Sequence, residues 1–111
     1  MSIATVEDRK AIEETLARYV QGCSISGDVT KKEFHSSATV NAEPAQVLFD
    51  LIDSKEPTKY IAQIDVFDVF GDMATARVVM EGQNGVGFVD FHHLLRTDEG
   101  WKIVSKIYQK I

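Results

Sequence analysis

The clearest fold signal in this chain is at residues 87–108, which read GFVDFHHLLRTDEGWKIVSKIY. Apolar β-branched and aromatic residues alternate with polar ones on either side of DEG at 98–100, which is the pattern of two strands joined by a tight turn. Two more turn signals, GD at 71–72 and NG at 84–85, interrupt a region of the same character that begins near Lys59. The second half of the chain is therefore predicted to be a four-stranded antiparallel meander.

The N-terminal part predicts two helices. Thr5 and Asp8 have the spacing of a capping box, and apolar residues follow at helical intervals, so a first helix is expected from about Val6 to Cys23. Asp28 can cap a short second helix, which is expected to run through Phe34 and His35.

A short strand and a third helix complete the first half. Ala38 to Val40 is expected to form the strand. Pro44 suits the first turn of a helix, which is expected from about Ala45 to Asp53 and cannot continue through Pro57. The 111 residues suit one domain, and no repeat or linker divides residues 1–111, so the chain is predicted to be a single α+β domain.

The loop around Gly85 decides which side chains of the meander share a face. A two-residue turn at 84–85 would separate the alternate residues of the strand before it from those of the strand after it. A three-residue loop with Gly85 in the left-handed region would place both sets on one face. We favour the three-residue loop because it gathers small and apolar residues on one concave side, with Asp90 and His92 among them.

The same loop type at 98–100 would place Lys106 opposite His92 and Tyr108 opposite Asp90, so four polar side chains would converge on one apolar wall. The opposite face would then carry apolar residues, namely Val79, Val89, Phe91, Leu95, Trp101, Ile103 and Ile107. That is more apolar surface than a monomer normally leaves in water. A homodimer is predicted through this outer face, with Phe91, Leu95, Trp101 and Ile103 in the contact.

Charge and cysteine content exclude several classes of partner. With 17 acidic and 12 basic residues, the net charge of −5 disfavours nucleic acid and anionic membranes. No apolar run approaches the roughly 20 residues that span a bilayer. Cys23, the single cysteine, is read as a buried structural thiol, and the start MSIATVEDRK lacks the features of a secretory signal, so a cytoplasmic location is expected.

Asp90 is the most informative candidate residue. A carboxylate surrounded by apolar neighbours must be desolvated, ion-paired or protonated. An ion pair with Lys106 is expected, and a purely structural pair and a ligand contact are equally open. His92 and His93 alternate across their strand and cannot hold one metal together, so neither a metal nor a cofactor is expected.

The order of elements, with FHSSATV (34–40), GFVDFHHLL (87–95) and GWKIVSKIY (100–108), resembles the nuclear transport factor 2-like superfamily, and within it the putative lumazine-binding and SnoaL-like branches. The resemblance covers nearly the whole chain. It implies a cystatin-like cone, in which a curved antiparallel sheet wraps around three N-terminal helices. Relatives usually place a further strand before the third helix, whereas this chain passes almost directly to Pro44, so one wall of the cone is expected to be short.

The segment RYVQGCSISGD (18–28) is also similar to the first helix of ketosteroid isomerases. The similarity places Tyr19 at the tyrosine of their oxyanion hole and Asp90 at its aspartic acid, two groups that stabilise an enolate in those enzymes. Their general-base aspartate falls near Asn41 and Ala42 here, and neither residue can serve as a base.

Three functions remain open. The favoured one is a small-molecule-binding domain that holds a partly apolar organic ligand in the cone, in contact with Tyr19, Phe34, Phe88, Asp90, His92, Lys106 and Tyr108. The second is an isomerase, cyclase or dehydratase in which Tyr19 and Asp90 stabilise an oxyanion and His92 carries a proton. The third is a dimerisation or interaction module whose interior is filled by Phe34, Phe49 and Phe88.

Overall fold

Helix α1, Val6–Cys23, begins at the predicted capping box in the computed structural model, which describes residues 5–111. The Thr5 hydroxyl accepts a hydrogen bond of 3.0 Å from the backbone N–H of Asp8, whose carboxylate accepts one of 3.3 Å from the backbone N–H of Thr5. The apolar stripe of the helix is fully buried and consists of Ile12, Leu16 and Tyr19. This stripe fixes the helix against the sheet.

Helix α2, Gly27–Lys31, is shorter than predicted and starts earlier. Its cap is Ser26, whose hydroxyl accepts a hydrogen bond of 3.2 Å from the N–H of Val29, so the prediction of Asp28 as the cap is wrong. Phe34 and His35 are not helical, because they open strand β1, Phe34–Val40, which pairs with a distant strand. Tertiary pairing has overridden a weak local helix signal here.

Strand β2, Glu43–Pro44, pairs antiparallel with β1. The short wall expected in this region is therefore a two-residue strand, reached through a tight turn in which Asn41 and Ala42 both have positive φ. Pro44 belongs to this strand rather than to a helix, and helix α3, Gln46–Asp53, follows it.

The four-stranded meander is confirmed. It consists of β3 (Tyr60–Phe70), β4 (Met73–Gly82), β5 (Gly87–Thr97) and β6 (Gly100–Lys110). The full sheet has six strands in the order β2-β1-β6-β5-β4-β3, with β1 parallel to β6 and every other pairing antiparallel. None of the described helices is long and apolar enough to cross a membrane.

The predicted register between β4 and β5 is confirmed. Val78 lies opposite Asp90 and Ala76 opposite His92, as a three-residue loop requires. Gly85 has φ +84°, in the left-handed region that favours glycine. Small and apolar side chains of β4 therefore share the inner face with the polar residues of β5.

The second hairpin reaches the predicted pairing by a different route. Asp90 lies opposite Tyr108 and His92 opposite Lys106, as predicted. However, the turn holds only two residues, because Thr97 pairs directly with Gly100, and a β-bulge then shifts the register between His93 and Leu94. The bulge adds one unpaired residue to β6, which offsets the shorter turn and restores the predicted pairing beyond the bulge.

This bulge corrects the predicted outer face. Trp101 and Ile103 precede it on β6 and point inward, where they are 4% and 0% exposed. They belong to the core with Leu94 and α1, and they cannot form part of an outer contact. Phe91 and Leu95 do lie on the outer face, 58% and 42% exposed.

Candidate functional site

Three elements bring a polar cluster to the centre of the inner face. Strand β5 supplies Asp90 and His92 at alternate positions, so both point inward, and β6 supplies Lys106 opposite them. Helix α1 supplies Tyr19 from its buried stripe. Asp90 and Tyr19 are 0% exposed, and Lys106 is 5% exposed.

One carboxylate oxygen of Asp90 is the focus of this cluster. The Tyr19 hydroxyl donates a hydrogen bond of 2.7 Å to Oδ2, and His92 Nε2 lies 3.2 Å from the same oxygen. Lys106 Nζ is 4.0 Å from it, which is an ion-pair distance and too long for a hydrogen bond. The other oxygen, Oδ1, is buried and has no hydrogen-bond partner among residues 5–111.

The surroundings hold Asp90 in its ionised form. Burial by itself raises the pKa of the carboxyl, but the hydrogen bond from His92, the Lys106 charge and the Tyr19 hydroxyl outweigh it and leave the pKa below its ordinary value. Burial raises the pKa of Tyr19 well above its ordinary value, and Cys23 and Asp90 add to the increase. Tyr19 therefore stays protonated and donates to a carboxylate.

His92 is neutral in this arrangement. Burial lowers the pKa of its imidazole, and the hydrogen bond and charge of Asp90 oppose the shift only in part. Because Asp90 is an ionised acceptor, the network assigns the ring proton to Nε2. Nδ1 is then an acceptor, buried and without a partner in the described chain.

Lys106 is held by ring faces rather than by hydrogen bonds. Its Nζ lies 5.1 Å from the centre of the Tyr19 ring and 4.5 Å from that of Tyr108. Burial lowers the pKa of the Lys106 ammonium, and attraction to Asp90 opposes this.

A cavity of about 790 Å³ lies beside this cluster, between α1, α3 and the inner face of the sheet. Its polar wall consists of Tyr19, Asp90, Lys106 and Tyr108, and its apolar wall includes Leu48, Ile52, Tyr60, Met80 and Phe88. The exposed side chains of Lys55, Glu56 and Lys110 lie at its rim. The interior of the cone is therefore not filled by the aromatic side chains that the third functional hypothesis invoked.

Five of the seven residues predicted to contact a ligand line this cavity, and two do not. Phe34 packs edge-to-face between Tyr19 and Phe49, at ring distances of 5.8 Å and 5.1 Å, and closes one end of the cone. His92 contacts Asp90 and the Tyr19 ring but does not line the cavity. His92 is thus within reach of the Tyr19–Asp90 pair but outside the lining of the cavity.

Several cavity residues escaped the sequence reasoning. Leu48 and Ile52 belong to the apolar face of α3, a pattern that indicates burial without showing a cavity. Tyr60 opens β3, where nothing in the sequence distinguishes an inward aromatic residue at a cavity wall from one in the core. Cys23 also lines the cavity and is half-buried rather than buried as predicted; desolvation raises the pKa of its thiol to about 11, which agrees with an unreactive thiol.

The comparison with ketosteroid isomerases holds for one contact and fails for the chemistry. Tyr19 and Asp90 do meet, at 2.7 Å. However, Asp90 is ionised and uses the Tyr19 proton, so the pair offers no neutral donor to an oxyanion. Asn41 and Ala42 lie in the turn after β1 and supply no base. Asp53, the last residue of α3, also lines the cavity, and its carboxylate accepts a hydrogen bond of 2.8 Å from the backbone N–H of Gly27.

Comparisons with known proteins agree with this architecture. A protein of unknown function from Shewanella baltica, described as nuclear transport factor 2-like, is 31% identical, with a TM-score of 0.86 over 99% of this chain and 98% of that one. One from Methylobacillus flagellatus, described in the same way, is 30% identical, with a TM-score of 0.90 over 100% and 98%. The fold and the cavity thus define a nuclear transport factor 2-like protein.

The family match is more specific. A family profile described as putative lumazine-binding matches residues 7–109, and the chain belongs to that family. A putative scytalone dehydratase from Novosphingobium aromaticivorans has a TM-score of 0.77 over 96% of this chain and 85% of that one, but its 13% identity extends only to the fold. No curated protein sequence matches the chain significantly.

Proposed function

We propose that the protein binds a small, flat, partly apolar organic molecule in the cavity between α1, α3 and the sheet. One observation carries the proposal: a cavity of about 790 Å³ has a charged amine and a carboxylate on one wall and aromatic rings on the other. Ligand sites in proteins combine this range of volume with a few placed polar groups in a mostly apolar lining.

The polar wall defines the chemistry of the ligand. Lys106 has three N–H donors and makes no hydrogen bond among residues 5–111, so it suits an acceptor such as a carbonyl oxygen. Asp90 Oδ1 is a buried acceptor without a partner there, so it suits an N–H or O–H donor. A neighbouring carbonyl and N–H on one edge of the ligand would satisfy both groups.

The apolar wall favours a ring. Phe88 packs against Tyr108 at a ring distance of 5.8 Å and against Tyr60 at 6.5 Å, which makes a group of aromatic side chains beside the polar pair. Lumazine, after which the family is named, is a flat fused heterocycle with alternating carbonyl and N–H groups. It is therefore the first probe to test.

Binding without catalysis is favoured over an enzymatic role. The Tyr19 proton is committed to Asp90, and no carboxylate occupies the position of the isomerase base. The enzymatic alternative, of isomerase, cyclase or dehydratase type, rests on His92 Nε2 lying 3.2 Å from Asp90. A proton from a substrate would have to pass through Asp90, because His92 does not line the cavity.

Native mass spectrometry of freshly purified protein and calorimetric titration with lumazine test the proposal. We expect a co-purified compound or saturable lumazine binding, weakened at least about tenfold in Asp90→Asn, because the amide replaces the charged acceptor on the cavity wall. Asp98→Asn, in the exposed β5–β6 turn, is the matched control and should bind like the wild type.

Two results would contradict the proposal. One is the absence of both a co-purified compound and lumazine binding at millimolar concentration. The other is equal binding by Asp90→Asn and the wild type, which would place the ligand elsewhere. For the enzymatic alternative, hydrogen–deuterium exchange next to the carbonyl of a bound ester, followed by NMR, should show no acceleration. Exchange that disappears in Asp90→Asn would favour the enzyme.

A further inference from the structure

Lys106 is the feature of the cavity that simple ligand binding does not fully use. Its side chain is 5% exposed, lines a cavity of about 790 Å³, and has no hydrogen bond within the part of the chain that the structure describes. Structural lysines normally satisfy their three donors with carboxylates, carbonyls or water. Lys106 instead has one carboxylate at 4.0 Å and two aromatic ring faces.

We propose that Lys106 forms a reversible imine with aldehydes or ketones that enter the cavity. The inference rests on the proposed function, since the carbonyl compound must bind in the same cavity, and it adds a class of ligand to it, because the ring amide carbonyls of lumazine form no imine. A buried amine that lines an open cavity and makes no hydrogen bond within the described chain has a setting in which lysine acts as a nucleophile.

The reaction balances with the groups present. The Lys106 ammonium releases a proton to Asp90 or to water, and the free nitrogen lone pair attacks the carbonyl carbon. A C–N bond forms while the carbonyl π pair moves to oxygen, which takes up a proton to give a carbinolamine. Loss of that hydroxyl as water leaves an iminium ion. Ammonium and carbonyl thus become iminium and water, with no net change in charge and no oxidant or reductant.

Asp90 is the counter-ion of Lys106 before and after the reaction. Its Oδ2 lies 4.0 Å from the nitrogen that becomes the iminium centre, so the carboxylate remains as a counter-ion after the reaction. Burial lowers the pKa of Lys106, so a larger fraction of its amine is unprotonated at neutral pH than in an exposed lysine. Tyr19 keeps its proton and supports the carboxylate through the hydrogen bond of 2.7 Å.

Reductive trapping tests the inference on the intact wild-type chain. The protein is incubated at pH 7 with benzaldehyde and sodium cyanoborohydride, digested, and each lysine is scored for the benzyl adduct. We expect Lys106 to be labelled severalfold faster than Lys110, because burial lowers the pKa of Lys106 and leaves a larger fraction of its amine unprotonated. Lys110 is the matched control, because it lies at the rim of the same cavity and is exposed.

Benzyl alcohol separates this inference from the proposed function, because it has the same ring without the carbonyl. Benzyl alcohol should bind in the cavity and slow the labelling of Lys106 but not of Lys110. If it binds, as seen by NMR shifts of cavity residues, while Lys106 is labelled no faster than Lys110, the imine is wrong and the binding proposal survives. If it does not bind and Lys106 is labelled no faster, the imine is wrong, and lumazine binding decides the proposed function separately.

A substitution sharpens the result without removing the nucleophile. In Asp90→Asn the attraction that opposes the lowered pKa of Lys106 is lost, so the yield of trapped Lys106 adduct at a fixed time should rise severalfold, whereas Asp98→Asn should leave it unchanged. Equal adduct yields in all three proteins would overturn the role given to Asp90. Circular dichroism of each variant shows whether the fold is intact.

Discussion

The inner and outer faces of the sheet are built from the same strands and treat charge in opposite ways. On the inner face, Asp90 and Lys106 are 0% and 5% exposed, and they depend on each other and on a few fixed neighbours. On the outer face, Arg77 and Asp65 pair at 3.2 Å with their side chains 40% and 34% exposed, and water screens both. An ion pair of similar composition can therefore contribute strongly to the free energy of unfolding on the inner face and weakly on the outer face.

The apolar residues show the reverse contrast. The inner face buries its apolar side chains among the core cluster, whereas the outer face leaves Met73, Phe91, Leu95 and Ile107 between 42% and 58% exposed. Isolated exposed apolar residues are ordinary, but a set gathered on one sheet face marks an interaction surface. The inner face thus carries the polar cluster and the cavity, and the outer face carries an exposed apolar set.

Removing the inner ammonium should have the largest effect. Lys106→Met leaves the Asp90 carboxylate buried with only the Tyr19 and His92 hydrogen bonds, and we expect the free energy of unfolding in urea to fall by about 3 kcal/mol or more. The double variant Asp90→Asn with Lys106→Met should recover much of that loss. Lys110→Met, on the same strand but exposed, is the control and should change stability little.

Additive and nearly silent effects at Asp90 and Lys106 would contradict this account. They would mean that water reaches both side chains and that the inner face is no different from the outer one. The ion pairs on the two faces would then contribute equally little to the free energy of unfolding.

The meander and the site register could be predicted from the sequence because local rules determine them. Gly85 has φ +84°, which glycine adopts without strain, and this favours the three-residue loop. Strand alternation from that loop then places Asp90 and His92 on the same face as Ala76 and Val78. The pairing that brings Asp90 together with Lys106 and Tyr108 was also predicted, but for the wrong reason, because a two-residue turn and a bulge produce it instead of the expected three-residue loop.

The errors lie where the outcome depends on distant partners. Strand alternation predicts Trp101 and Ile103 on the outer face. A bulge in the β5–β6 pairing, between His93 and Leu94, reverses the alternation along β6 and turns both side chains inward. No local sequence signal marks this bulge. The local sequence predicts Phe34 in a helix. In the structure Phe34 pairs in parallel with Ile103, and a pairing between segments so far apart in the chain leaves no local signal. Whether His92 would line the cavity depended on how α1 packs, which strand alternation does not specify.

The outer face should determine the oligomeric state. We propose that a second copy of the chain covers it, with Phe91 and Leu95 in the contact and without the inward-facing Trp101 and Ile103. Sedimentation equilibrium at micromolar concentration should show a dimer, and Phe91→Glu should weaken it by about 2 kcal/mol or more, which is roughly thirtyfold in the dissociation constant. Val47→Glu, at an exposed position on α3, should leave the dimer intact.

A monomeric wild type would show that the outer face has another role. Equal dimerisation of Phe91→Glu and the wild type would show that the copies meet through another surface.

The smallest expected effect separates two adjacent histidines on opposite faces of the sheet. His92 is 1% exposed and its pKa is lowered by burial, whereas His93 is exposed on the outer face. Below about pH 6.5, the ordinary histidine pKa, the imidazole of His92 is protonated in the unfolded chain but stays neutral in the folded chain until a lower pH. The free energy of unfolding must then fall as the pH falls.

This window belongs to His92 rather than to its neighbours. The pKa of Asp90 is also lowered in the fold, so its contribution is present above its unfolded value of about 3.9 and is lost only at lower pH. The pKa of Lys106 is lowered as well, so its unfolded form binds the extra proton at alkaline pH, up to about 10.4. Tyr19, whose pKa is raised, stays protonated across the acidic range.

We therefore expect urea unfolding of the wild type to show a loss of about 1 kcal/mol between pH 7 and pH 5 that His92→Gln removes and His93→Gln keeps. Glutamine retains an N–H donor for Asp90 but cannot be protonated in this range, so the first variant isolates the titration from the hydrogen bond. The same pH slope in both variants would mean that His92 is protonated in the fold. Asp90 would then be paired with two cations instead of one, and the charge assigned to the cavity wall would change with it.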